Sequence, residues 1–486
     1  MAEPAWRIRA VRRATCLPLI LAGLAIAAAG CDDCTSAPVA TGDGPAKPSI
    51  GTPRSIVLIG VDTLRVDHLG LYGARRATSP FLDRVAGKAH VFDRAFATSP
   101  WTLPSFASML TGLDPTAHGA GIVVRDDPAA AFGPDRIGPK RRTKLDPAVR
   151  TLAEQLTSGG LATLAVVQNP NLDPAYGIDR GFDIYDHYED GRKRRADAAI
   201  DRALELLDGL GGQRFFLFLH LIDPHLSYDA PPPARGRFTG EIDVDLELPI
   251  EGYRRLQRDY LHFSPMEWKF VEAAYDEEIA FVDQQLETFF AGLRKRGLED
   301  DTLVILTADH GEEFLEHGGF EHGHTLYNEL LHVPFLVWGP GVVARRQSLP
   351  ISVADVAPTI LDAVGLGVPD GIAGRSLWAV LSGHTQRAPS RVLFARGTLY
   401  GPELRAAIRW PFKLVERPED GMVQLFDLDQ DPAERVDLSE SDRERTRELR
   451  SDLDQHIETG AHGRRLEIVD PGSELLEDLR ELGYVE

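Results

Sequence analysis

Residues 55–61 (SIVLIGV) carry no charge and end at Asp62, and this run limits the possible folds more than any other feature. A strand with one wet face alternates polar and apolar side chains, whereas an unbroken apolar run belongs to a strand buried on both faces. Similar runs recur at residues 161–167, 215–221, 302–307 and 334–338. Between them, residues 196–207 and 266–293 place apolar side chains three and four apart, the spacing of a helix with one buried face. Strands alternating with helices predict an α/β fold with a mostly parallel sheet flanked by helices. Near residue 385 the composition changes. Short strand-like pieces at 392–395, 404–408, 412–415 and 424–427, then a charged helical stretch at 442–457, predict a smaller C-terminal antiparallel sheet subdomain. At 486 residues the chain exceeds one average domain of roughly 100–200 residues, which leaves room for both units.

The N-terminus reads differently. Arg7, Arg9, Arg12 and Arg13 precede an apolar run over residues 17–29, then Gly30 and Cys31. The run falls short of the ~20 apolar residues that span a bilayer comfortably, and it ends in small residues as cleaved export signals do. Residues 1–31 are therefore expected to be a lipoprotein signal with lipid on Cys31, which places the protein in a bacterial cell envelope, facing the periplasm or exterior. Cys16 would leave with the signal, and Cys34 then has no intrachain partner. Residues 32–53, small and rich in Pro and Gly, read as a flexible tether. The expected order continues with a catalytic domain at 54–385, a C-terminal subdomain at 386–460 and a loosely packed acidic tail at 461–486. A formal charge of -21 speaks against nucleic-acid binding through a basic face. A negative protein can still hold an anionic ester where metal ions supply local positive charge.

In open α/β sheets, ligands bind outside the carboxyl ends of the strands. The first strand ends in Asp62, the run at 215–221 leads into Asp223-Pro224-His225, and the run at 302–307 leads into Asp309-His310-Gly311. Carboxylates and imidazoles gathered at one edge form a ligand set for zinc or a similar divalent ion. One such Asp is more often a turn or helix cap; three arriving from separate strands shift the balance toward metal. Thr102 lies in TSPWTLPSFASMLTG, where Pro104 suits the first turn of a helix. A helix N-terminus favours an anion, and a hydroxyl beside a divalent ion can attack an ester near neutral pH. The competing reading makes Thr102 a plain N-cap.

IVLIGVDTLRVDHLGLYG, FATSPWTLPSFASMLTGLDPTAHG, TLVILTADHGEEFLEHG and GHTLYNELLHVPFLVWGPG resemble the sulfatase family, in that order. VADVAPTILDAVGL with GRSL, and LFDLDQDPAERVDL, are similar to its later segments, so the resemblance covers roughly residues 54–440. It implies the alkaline phosphatase-like fold, with Asp62, Asp309 and His310 as metal ligands and Thr102 at the nucleophile position. His225 and His324 fall near positions where sulfatases place a substrate-contacting His and Lys, and Asn169 lies near another Lys position.

The departures point away from the family's usual chemistry. Sulfatases oxidise Cys or Ser to formylglycine, and Thr cannot give that aldehyde. The Arg of the family's nucleophile pattern is Phe106 here, and the second Asp of its N-terminal pair is Thr63. The order Asp62, Thr102, Asp223 and His225, Asp309-His310, His324 resembles instead the two-zinc phosphodiesterases of the same superfamily. The expected enzyme is thus a metal-dependent ester hydrolase that cleaves phosphoesters through a covalent phosphothreonine. One ion is expected at Asp62, Thr102, Asp309 and His310, and a second, if present, at Asp223, His225 and His324. Zinc is favoured, calcium and manganese stay open, and Asn169 is expected to contact the substrate. His220, His317 and His322 are rival ligands. A sulfuric ester hydrolase, a phosphotransferase on envelope lipids or glycans, and an inactive binding protein are the alternatives. Substrate choice is expected to lie in the loops at 121–150 and 226–265.

Overall fold

The computed structural model describes residues 52–124, 141–187, 194–246, 262–386, 389–460 and 465–481. The expected signal, Cys31 lipidation and nearly all of the tether lie outside these residues, as do parts of both substrate loops.

The central sheet holds eight strands. In chain order they are β1 (Ser55–Val61), β2 (His90–Phe96), β3 (Ala162–Val167), β4 (Ile184–His187), β5 (Phe215–Leu221), β6 (Thr302–Ala308), β7 (His332–Trp338) and β8 (Arg345–Ser352). Their spatial order is β8-β2-β7-β6-β1-β5-β3-β4. Every pairing is parallel except those of β7 with β2 and β6. All residues of β1, β3, β5 and β6 are buried, as their unbroken apolar runs require.

Three strands were not anticipated, and the reason is physical. Asp93 and Arg94 interrupt β2, β4 is a four-residue edge, and β8 (RRQSLPIS) is the opposite edge, half-exposed, with Pro350 inside it. Edge strands carry charge and proline because one side of their backbone faces water.

Five helices matter below: α1 (Thr102–Thr111), α2 (Ala196–Asp208), α3 (Pro265–Lys295), α4 (Arg443–Gly460) and α5 (Ser473–Glu481). A capping box between Ser264 and Glu267 and a Pro at its first turn start α3. Midway along it, Asp276, Glu277 and Glu278 are buried but paired. Asp276 meets His68 and Arg76 at 2.6 Å each, and Glu277 accepts from the backbone N–H groups of Gly236, Phe238 and Thr239.

The C-terminal sheet is an antiparallel meander of β9 (Leu393–Arg396), β10 (Arg405–Arg409), β11 (Phe412–Arg417) and β12 (Met422–Asp427). Leu449 and Leu453 of α4 pack on Ala407, Leu414 and Leu425. One buried ion pair ties this sheet to the larger domain. Lys413 Nζ meets Glu434 Oε1 at 2.6 Å and donates to Leu326 O at 2.8 Å, while Glu434 Oε2 accepts from Asn328 N.

The acidic C-terminal stretch is not loose. Ile468–Val469 adds a strand beside Arg141–Thr143, and α5 buries Leu475 and Leu479 in the main core. Two leucines four apart on a short helix supply the apolar face that its acidic composition hides.

Candidate active site

Strands β6, β1, β5 and β3 are parallel neighbours, so their carboxyl ends lie along one edge of the sheet. Asp62 follows β1, Asp309 and His310 follow β6, and Gln168 and Asn169 follow β3. Asp62, Asp309, His310, Asn169 and Thr102 are all fully buried. Among the described residues, Asp62, Asp309 and His310 form the one group of three acidic, imidazole or thiol side chains whose ligand atoms lie within 4.8 Å of one another.

The donor atoms of this group fit a divalent cation. His310 Nδ1 lies 2.8 Å from Gly311 O and donates to it, so Nε2 is the ring nitrogen that can bind an ion once its own proton has left. That Nε2 is 3.2 Å from Asp309 Oδ2 and 3.6 Å from Asp62 Oδ1, yet none of the three atoms makes a hydrogen bond. Buried polar atoms are almost always paired, so three that converge without bonding fit a shared divalent ion. Burial and the charge of Asp62 push the Asp309 carboxyl up. Burial alone would push the Asp62 carboxyl up too, but the His220 hydrogen bond and the imidazoles of His225 and His310 hold it far below the usual range. Burial pulls the His310 imidazole down, but Asp309 and Asp62 override it and push it up to about 9.

Local backbone sets this arrangement. Thr63 takes a left-handed conformation (φ 54°), costly for a β-branched residue. In that bend its N–H reaches Asp309 Oδ1 at 3.3 Å, and its carbonyl accepts from Tyr275 Oη at 2.7 Å. Helix α1 seats Thr102. Trp101, extended at φ -158°, is its N-cap and its side chain makes no capping bond, so Thr102 is the first helical residue and not a cap. The first-turn N–H groups thus stay open to an anion. Asn169 Nδ2 donates to Asp62 Oδ2 at 2.6 Å and approaches Thr102 Oγ1 at 3.3 Å, linking the nucleophile position to the ligand group.

Phe106, which replaces the family's Arg, belongs to the core. Its ring lies 5.4 Å from that of Phe218 and 5.1 Å, edge-on, from that of His220. Any side chain at Gly60 would strike this ring, with a Cβ only 2.4 Å from it. Glycine at 60 therefore lets α1 press onto β1. His220 accepts from Gln168 N through Nδ1, so its Nε2 carries the proton and donates to Asp62 Oδ2 at 3.2 Å. It orients a ligand and is not one itself.

The expected second metal set is not brought together. Asp223 Oδ2 accepts from Ala196 N at the start of α2 (2.7 Å), the turn role that competes with ligation at any strand-end Asp. His324 Nε2 turns to Glu313 Oε2 at 2.8 Å. His317 stacks on Tyr327 and pairs with Glu329, outside the site. The histidine beside the ligand group is His322, whose ring is 4.5 Å from that of His310 and 5.1 Å from that of His225. Burial and the neighbouring imidazoles of His310 and His225 hold His322 well below its ordinary range, so it is neutral. Its Nδ1 pairs with Glu312 Oε1 at 2.8 Å, and Glu312 accepts from Tyr228 Oη at 3.1 Å. Burial pushes the Glu312 carboxyl up to about 7. Sequence reasoning missed Glu312, Tyr228 and Tyr275, none of which stands at a strand end or in a spacing that marks it.

Two of these histidines should separate in activity. His322→Ala is expected to lower kcat/KM by ~10–100-fold, the usual loss for a group beside metal ligands, while His324→Ala stays close to wild type. Steady-state kinetics on both variants checks this, and equal losses would return His324 to the site.

Comparison with known proteins gives the family and the fold. The family model described as Sulfatase matches residues 54–366. The chain belongs to the sulfatase family. A second model, N-sulphoglucosamine sulphohydrolase, C-terminal, matches residues 315–462. An arylsulfatase of Clostridium perfringens is 24% identical over 482 residues, covering 84% of this chain and 95% of that protein. Arylsulfatase K of Bos taurus is 30% identical over 209 residues, only 40% of this chain and 37% of that protein. A putative sulfatase from Bacteroides thetaiotaomicron superposes with a TM-score of 0.67 at 21% identity, over 86% of this chain and 96% of that one. A phosphonate monoester hydrolase from Silicibacter pomeroyi superposes with a TM-score of 0.65 at 22% identity, over 84% and 95%. These likenesses bear out the alkaline phosphatase-like fold. This sulfatase-family chain is an ester hydrolase with, among the described residues, one group suited to a divalent metal.

Proposed function

We propose that the protein hydrolyses phosphoesters through Thr102, with a covalent phosphothreonine between two displacement steps. The observation that carries this reading is a threonine hydroxyl at an uncapped helix N-terminus, tied by Asn169 to Asp62 of the ligand group. Threonine carries a methyl on the carbon that formylglycine uses as its aldehyde, so the family's hydrated-aldehyde route is closed. A hydroxyl nucleophile that keeps its oxygen needs a centre where the second attack, by water, is also easy, and phosphorus meets that need. Superposition on a phosphonate monoester hydrolase supports phosphorus as an electrophile on this fold.

A divalent ion held by Asp62, Asp309 and His310 would supply the positive charge that offsets an anionic ester; a set of two carboxylates and one imidazole suits zinc, with calcium and manganese left as alternatives. Asn169 holds Thr102 Oγ1 in place. The helix N–H groups face the ester's non-bridging oxygens. Thr102 Oγ1 forms a bond to phosphorus as the bond to the leaving oxygen breaks, and the hydroxyl proton ends on the leaving alcohol. Water then attacks the same phosphorus, releases phosphate and restores the hydroxyl. His322 lies beside His310, its ring 4.5 Å away, and His225 lies beside His322. The basic, then apolar, then Cys31 pattern of the N-terminus supports export and lipid anchoring as the setting for this activity.

A sulfate ester is the second reading, favoured by the arylsulfatase relatives. Purified full-length protein assayed with 4-nitrophenyl phosphate, bis(4-nitrophenyl) phosphate, a phenylphosphonate ester and 4-nitrophenyl sulfate, with and without Zn²⁺, decides between them. Metal-dependent turnover of a phosphorus ester above that of sulfate is expected. Faster sulfate hydrolysis overturns the proposal, and formation of glycerol phosphate when glycerol is added would make the enzyme a transferase.

A further inference from the structure

We propose that the C-terminal segment, residues 465–481, is a clasp that positions Asn169, and through it Thr102, by holding Arg142 in place. The inference rests on the reading of Thr102 as nucleophile and extends the site by a chain of contacts that ends on the outer surface.

The chain starts at the site. Asn169 donates to both Asp62 and Thr102 through one nitrogen, which requires its amide to face them. That orientation is fixed from behind, because Asn169 Oδ1 accepts from Asn171 N at 2.9 Å. Asn171 Oδ1 in turn accepts from the guanidinium of Arg142. Arg142 is 1% exposed, and its guanidinium carbon lies 5.3 Å from the ring centre of Trp101, the residue before Thr102. Trp101 is itself pinned by Nε1 to Gly397 O at 2.7 Å. One buried cation therefore braces the Asn169 turn on one side and the start of α1 on the other.

A buried arginine needs a backbone that does not drift, and Arg142 sits on a strand of only three residues, Arg141–Thr143. Strands that short do not stand alone. The C-terminal segment supplies one of its two neighbours. Val469 pairs with Arg142 and Ile468 with Thr143, Lys144 N donates to Glu467 O at 3.0 Å, and Lys144 Nζ meets Glu467 Oε2 at 2.6 Å. Arg465 N donates to Asp146 Oδ2 at 2.6 Å. Helix α5 follows directly and packs against the turn Pro170–Leu172, which carries Asn171. Its Leu475 and Leu479 join the same core as Leu172 and Trp101. A single segment thus contacts both ends of the Arg142–Asn171 bond. Nothing in the ligand group itself requires it, since Asp62, Asp309 and His310 are placed by β1 and β6.

The test uses full-length protein. Leu475→Asp/Leu479→Asp undocks α5 without touching Arg142, and Arg142→Met removes the donor but keeps the stem. Leu449→Ala, in the separate cluster under the C-terminal sheet, controls for general destabilisation. With whichever 4-nitrophenyl ester the wild type cleaves fastest, both clasp variants are expected to lower kcat by ~10–100-fold, as a 1 Å misplacement of reacting groups does, with KM little changed. The control is expected to leave kcat unchanged. Hydrogen exchange gives a readout independent of turnover: the amides of Asn171 and Leu172 are expected to exchange faster in the clasp variants, while those of β11 and β12 hold. Unchanged exchange at 171–172 with unchanged kcat overturns the clasp. If the leucine variant does not fold, Arg142→Met decides by the same two readouts. If wild type cleaves no ester, the proposed function fails and the exchange arm still decides the clasp.

Discussion

Thr102→Ala is expected to lose turnover by ~10⁴-fold or more, a loss of the size seen when a nucleophile is removed from a preorganised hydrolase site. The size follows from geometry. Thr102 Oγ1 is the one hydroxyl that Asn169 ties to Asp62, and α1 holds it rigidly, packed through Phe106 against β1. Ser105, one turn away, is committed to Asp309 O at 2.6 Å and cannot take over. Thr102→Ser keeps the oxygen and should retain most activity, because the methyl makes no polar contact. The companion measurement is acid quench during turnover followed by peptide mass spectrometry. It should find a phosphoryl group on the peptide with Thr102 in wild type and none in Thr102→Ala. Turnover that survives Thr102→Ala at wild-type rate would mean that water attacks directly and that the threonine is structural.

How much of this was legible before the structure depends on which residues carried a signal. The strands at 55–61, 162–167, 215–221 and 302–308 announced themselves because strands covered on both faces leave no room for charge. Asp62, Asp309 and His310 followed from them, since the residue after a parallel strand is placed by the strand. β2 and β8 did not, because Asp93 and the paired Arg346, 2.6 Å apart, lie on a rim where charge is welcome. His324 and His322 show the limit at the site. Both stand in the same loop two residues apart, and spacing along a loop says nothing of direction. Only Glu313, which captures His324, and Glu312, which captures His322, decide which imidazole faces the ligand group. Asp223 met the same ambiguity, and the N-terminus of α2 took it. The acidic composition of residues 465–481 hid Leu475 and Leu479, and three leucines in one short helix are too brief a pattern to predict docking.

Asp309→Asn is expected to abolish specific binding of a divalent ion while making the metal-free protein more stable than metal-free wild type. The two effects have one cause. Asp62 and Asp309 are buried side by side, and each carboxylate disfavours the charge of the other. A cation that reaches them is held tightly, but without it the pair is a destabilising element. Removing one charge should therefore raise the melting temperature of protein treated with chelator. Added Zn²⁺ at a hundred times its Kd, worth about 2.7 kcal/mol to wild type, should add nothing to the variant. The pH dependence follows from His310. Its imidazole, pushed up to about 9, holds a proton in the metal-free fold at neutral pH. Because the native value lies above the ordinary one near 6.5, the stability it lends is fully present at lower pH and is lost as pH rises through about 9. Metal needs the neutral imidazole, so metal affinity rises over the same interval as the proton leaves. Titration calorimetry and thermal melts between pH 6.5 and 9, with and without Zn²⁺, should show the two trends crossing. Parallel trends would mean that the ion does not compete with the His310 proton, and His310 would then have to be struck from the ligand group.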